Sequence, residues 1–193
     1  METLYEKLNN TKAYRQTRLD VAHWVLERPE TITSLLDFCF EVDTKISYKA
    51  AWILEFVCIE RLELLYPHLD SYFENLPKVY RDQALRPLAK ICEMLTKAYY
   101  KEKNPLALQF LNASHKEQMT SLCFDWLITD QKVAAKVYAM TALYFLGTEY
   151  DWIHPELESI IRQHIYDAMP AYKSRGKYVL KQLAKTQGTK RKN

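Results

Sequence analysis

The run Ala50-Ala51-Trp52-Ile53-Leu54-Glu55-Phe56-Val57-Cys58-Ile59, followed by Tyr66-Pro67-His68-Leu69, decides the fold. Glu55 is its only charge before Glu60, so a helix made from it has no polar face and needs cover on several sides. The plan returns 88 residues later, where Tyr138-Ala139-Met140-Thr141-Ala142-Leu143 leads to His154-Pro155-Glu156-Leu157. Each copy reads as an apolar helix, a short connection and a second helix opened by proline. Repeated pairs of this kind shield their apolar faces against one another. Ala51, Ala89 and Ala139 mark equivalent positions where neighbouring helices approach closely, and the 88-residue separation then spans two irregular units.

Outward from these helices the rest of the chain agrees. Its 193 residues suffice for one well-buried domain, and 48% of them are hydrophobic. Three glycines leave no room for glycine-rich phosphate loops or many tight hairpins. Helical periodicity dominates, with no convincing strand. A short opening helix carrying Leu4 and Leu8 is expected, then helices near 11–27, 31–41, 45–60, 63–75, 80–100, 105–111, 115–129, 131–146, 152–166 and 170–185. Three ends carry recognisable signals: Ser114 with Glu117 as a capping box, Asp130 as an N-cap, and Gly147 as a left-handed C-cap. Pro87 falls in the long 80–100 helix, either in its first turn or at a kink. The N-terminus carries acids and no apolar core, and no run is long enough to span a membrane, so a cytoplasmic chain is expected.

The commitment on fold is an all-α, right-handed α-α superhelix of about nine to ten helices in irregular pairs. Residues 1–185 form one domain, and 186–193 a flexible basic tail. The two Ala-rich first helices, Pro67 and Pro155, and Arg175-Gly176-Lys177-Tyr178-Val179-Leu180 together resemble HEAT or armadillo-like α-solenoids, above all short bacterial HEAT-like proteins. The resemblance covers about residues 15–185. The middle unit departs from it, being stretched over 82–128 without a matching proline.

Charge is unevenly divided. Residues through Pro170 hold 19 basic and 24 acidic side chains, whereas eight basic residues and no acid follow. Lys173, Lys177, Lys181 and Lys185 recur every fourth residue along one helical stripe, joined by Arg175, Lys190, Arg191 and Lys192. This arrangement fits a solvated capping face, or an anionic partner such as RNA or DNA. Tyr172 and Tyr178 lie in the same helix and are expected in the core. Cys39, Cys58, Cys92 and Cys123 are scattered among large apolar residues and read as small buried hydrophobes. No metal, cofactor or catalytic motif is expected.

Three functional readings follow. The first is a non-enzymatic scaffold that binds a protein or peptide through a solenoid face, with Trp, Tyr and Arg as anchors. The second is nucleic-acid backbone binding by the C-terminal lysines. The third comes from the likeness to HEAT-like alkylpurine DNA glycosylases. Trp126 and Asp130 have the spacing of that family's tryptophan and aspartate, and Arg162 lies downstream.

Overall fold

The computed structural model describes residues 2–190, with side chains through Thr186. It contains α1 (Leu4–Asn10), α2 (Arg15–Leu26), α3 (Ile32–Cys39), α4 (Lys45–Glu60), α5 (Leu69–Asn75) and α6 (Asp82–Thr96). These are followed by α7 (Pro105–Phe110), α8 (Ala113–Ile128), α9 (Val133–Leu146), α10 (Ile153–His164) and α11 (Pro170–Lys190). No β-strand occurs among the described residues. Eleven α-helices occur among the described residues, against nine to ten expected overall; each span read from periodicity, the short α7 included, contains one.

Five helices pack side by side in the order α2, α4, α6, α9, α11. Behind them lie α3 against α4, α5 against α8, α8 against α9, and α10 against α9 and α11. The two helices without a polar face occupy the most enclosed places. α4 touches α1, α2, α3 and α6, while α9 touches α6, α8, α10 and α11. Ala51, Ala89 and Ala139, all buried, sit on the successive helices α4, α6 and α9. Small side chains there allow the row to close up, and bulkier ones would overpack it.

Pro87 lies inside α6, beyond its first turn. Proline has no N–H to donate to the carbonyl four residues back, which belongs to Gln83. Trp52 on the neighbouring α4 supplies the missing donor, its Nε1 lying 3.1 Å from the Gln83 oxygen. Trp52→Phe should therefore cost about 1 kcal/mol of stability. Pro87→Ala restores a local N–H, so thermal unfolding should show a smaller cost for Trp52→Phe in that background. Equal costs in both backgrounds would remove this account.

Several helix ends differ from expectation. α8 is capped by Asn112, whose Oδ1 accepts the His115 N–H at 2.9 Å, instead of by Ser114 and Glu117. His115 Nδ1 accepts the Asn112 N–H in return, and its Nε2 lies 2.7 Å from Asp70 Oδ1. The imidazole thereby joins α8 to α5, a long-range pairing that local spacing does not reveal. Lys132, not Asp130, is the N-cap residue of α9, and no side chain caps that end.

Gly147 is right-handed at φ −66°. Its role is clearance: an added Cβ would lie 2.1 Å from the His154 ring, which hydrogen-bonds the Tyr144 carbonyl through Nε2 at 2.8 Å. Gly176, within α11, likewise makes room for Ile161 and Ile165 of the α10 segment. The last helix, expected to stop at Lys185, continues to Lys190.

Candidate functional site: the open face of the helix row

The inner helices of the row, α4, α6 and α9, have row neighbours on two sides, while α2 and α11 end it. The remaining side forms an open face, and helical spacing decides what it displays. Along α6 and into the turn that continues it, Gln83, Arg86, Lys90, Glu93 and Lys97 follow one another at intervals of three or four and so share that side. Ala134, Tyr138, Thr141 and Phe145 do the same on α9, as do Trp52, Phe56 and Ile59 on α4. α2 contributes Arg15 and Arg18, and α11 contributes Arg175 and Tyr178.

Two buried carboxylates organise the cations. Glu55 of α4 is 4% exposed. Its Oε2 accepts from Arg86 and its Oε1 from Lys90 of α6, each at 2.9 Å. Glu93 of α6 is 3% exposed, and its Oε1 lies 2.9 Å from Lys97 Nζ and 2.7 Å from Arg175 Nη1 of α11. Arg175 also donates to the Thr141 hydroxyl of α9. Each carboxylate thus holds two cations and ties neighbouring helices together, leaving the face positive.

The face carries two grooves. One, of about 740 Å3, runs across α2, α4, α6 and the start of α9. Arg15, Arg18, Arg86, Lys90 and Lys132 line it, with Trp52, Phe56, Glu55 and Asp82. The Arg18 guanidinium lies 5.2 Å from the Trp52 ring centre and 5.8 Å from that of Phe56, and Arg15 is 5.6 Å from Phe56. Cations this close to aromatic faces gain cation–π attraction. The second groove, of about 550 Å3, is lined by Lys97, Lys101, Tyr144, Phe145, Arg175 and Tyr178.

The C-terminal basic residues do not act as one group. Arg175 is drawn into the Glu93 pair, whereas Lys173 and Lys177 line another groove with Arg162, Tyr166 and Leu180. Lys177, Lys181 and Lys185 are exposed. Arg191 and Lys192 lie outside the described residues, and only the backbone of Lys190 is described. Tyr172 is buried as expected, but Tyr178 is 55% exposed and faces the second groove. The core positions of α11 are filled by Tyr172, Val179 and Leu183, and Tyr178 falls on another side of the helix.

Trp126 and Asp130 do not meet in a cleft. Trp126 is buried on α8, while Asp130 is exposed beyond the helix end, and Arg162 is paired with Glu158 at 2.8 Å. All four cysteines are free and buried, and burial pushes the thiols up, that of Cys92 to about 12. A thiol so disfavoured as thiolate is a poor nucleophile. Among the described residues no cluster of His, Cys, Asp or Glu is arranged to hold a metal.

A polar cluster lies where α6 passes into a π-helical turn, Lys97–Lys101. Tyr100 donates to Glu149 Oε2 at 2.6 Å, and Lys116 Nζ reaches both Glu149 oxygens at 2.7 and 2.9 Å. Burial pushes the Glu149 carboxyl up, but its bonds to Lys116 and Tyr100 outweigh that and hold it below the usual range. Burial likewise lowers the Lys116 ammonium, and bonding to Glu149 and Tyr99 raises it beyond that. The pair remains charged and mutually satisfied, which suits it to holding α8 against the π turn.

A HEAT repeat domain model matches residues 4–183, nearly the whole chain. The chain belongs to the HEAT repeat family. No curated protein and no solved structure matches it. HEAT repeats are a scaffold kind of fold, typically non-catalytic and commonly engaged in protein interactions. No helix among the described residues is long and apolar enough to cross a membrane.

The sequence reading named Trp, Tyr and Arg anchors without placing them. It missed Arg15, Arg18, Arg86 and Lys90, because they come from separate helices and form no run. One signal was present: Glu55, alone in an apolar helix, had to be paired once buried.

Proposed function

We propose that this HEAT repeat protein is a non-enzymatic scaffold, one solenoid domain over residues 1–185, that binds a protein partner along the open face of the α2–α4–α6–α9–α11 row. The observation carrying this reading is the pair Arg15 and Arg18, laid over Trp52 and Phe56 in a groove. Neither has a carboxylate within ion-pair distance among the described residues. Arginine and aromatic side chains concentrate binding energy at interfaces, and here they are already in place.

The test is capture by the immobilised protein at physiological salt after nuclease treatment. A bound protein should remain, and the double variant Arg18→Glu/Tyr178→Glu, which alters one position in each groove, should lower its recovery by about tenfold or more. Undiminished recovery by that variant would show that the face is not used.

A second reading draws on the exposed Lys177 and Lys181, with Lys173 and Arg162 in the α10–α11 groove. It places nucleic-acid backbone there. Under that reading nuclease removes the partner, and Lys177→Gln/Lys181→Gln abolishes a binding that falls steeply with salt.

A further inference from the structure

We infer that the groove between α2, α4 and α6 recognises an acidic, extended peptide segment of a protein partner, with Arg15 and Arg18 taking its carboxylates. The inference rests on the open face being the partner-binding surface, and it names the chemistry of what binds there.

The argument begins with Arg18. Its Nε is buried and has no hydrogen-bond partner among the described residues, so its neighbours in the free protein are the Trp52 and Phe56 rings. A guanidinium held against two aromatic rings has already lost part of its rotamer freedom, so less is lost when it binds. The geometry of its donor edge matches a carboxylate, which can accept two parallel N–H bonds. Arg15 stands one helical turn away on the same side of α2, over Phe56. Two such groups side by side suit alternate acidic side chains of an extended peptide, which share one face of the strand.

The rest of the groove supports this charge preference. Arg86 and Lys90 together outweigh Glu55, the carboxylate that fixes them, and Lys132 stands opposite near Asp82. An anion entering the groove meets cations whose positions are set by the protein rather than by the ligand. That arrangement lowers the ordering cost of binding.

Nucleic acid suits the same groove less well. Single strands bind by stacking bases on open aromatic faces, and Trp52 and Phe56 already carry guanidinium groups. A duplex backbone requires a continuous cationic track. In this groove, Glu55 and Asp82 interrupt the cations along α4 and α6.

The probe is a fluorescein-labelled deca-glutamate peptide, compared with its deca-glutamine counterpart and with single- and double-stranded DNA, read by anisotropy at low and physiological salt. Only the glutamate peptide should bind among the peptides. Arg15→Gln/Arg18→Gln should weaken it by about tenfold or more. Arg18→Lys keeps the charge but loses the planar fork, and should weaken binding by several-fold. Thermal unfolding of each variant close to that of the parent establishes that the fold persists.

The inference is overturned if both peptides bind alike, if the arginine variants bind as the parent does, or if either DNA binds more tightly than the glutamate peptide. If the glutamate peptide fails while nuclease-resistant capture still depends on the open face, the acidic-ligand assignment falls and the scaffold reading stands. Loss of both overturns the two together.

Discussion

Replacing Tyr72 with alanine should lower the stability of the protein by about 3–5 kcal/mol. The thermal midpoint should then fall on the order of 10 °C. Tyr72 is completely buried on α5 and packs edge-on to Phe73, at 5.2 Å between ring centres, and to Phe40 at 6.1 Å. Its hydroxyl donates to the Leu88 carbonyl of α6 at 2.8 Å, so one side chain joins the two layers of a repeat. Alanine removes the ring, opens a cavity and deletes that bond at once. Tyr72→Phe keeps the ring and loses only the bond, and should cost about 1 kcal/mol. Thermal unfolding followed by circular dichroism separates the two. A loss for alanine no larger than that for phenylalanine would show that the layers are not close-packed at this point.

Replacing Glu93 with alanine should cost about 2–3 kcal/mol, and the loss should be concentrated at α11. The carboxylate is buried, while Lys97 and Arg175 are partly exposed. Its removal therefore leaves water to solvate part of each stranded charge, which keeps the cost below that of a fully buried pair. Arg175 retains Thr141 as a partner but loses its tie to α6. Amide hydrogen exchange should quicken in α11 ahead of α4 and α6. Combining Glu93→Leu with Arg175→Met removes both charges and restores apolar packing, so the double variant should be more stable than the two single losses added together. Strict additivity would show that the two side chains do not depend on each other.

Both predictions concern contacts between helices distant in the chain, and this is where sequence and structure divide. Helical spacing alone located the apolar helices α4 and α9, because a helix without a polar side can exist only when enclosed. It also placed Pro155 in the first turn of α10, where a missing N–H is harmless. Signals that depend on distant partners were read wrongly. The cap of α8 involves Asp70 on α5, the glycine after α9 serves the ring of His154, and Tyr178 turns outward because other residues of α11 fill the core.

The lysine stripe of α11 was conspicuous in the sequence because its members lie on one helix. The groove of Arg15, Arg18, Arg86 and Lys90 was invisible for the opposite reason. These four lie on two helices, α2 and α6, far apart in the chain, and meet across α4 only where the row stacks them. Apolar spacing alone requires helices to pair and pile up, since burying apolar surface needs cover wherever a helix lacks a polar side. Tertiary structure decided which charges became neighbours. Ion pairing and stacking act over a few ångströms, and chain order does not specify which helices come that close.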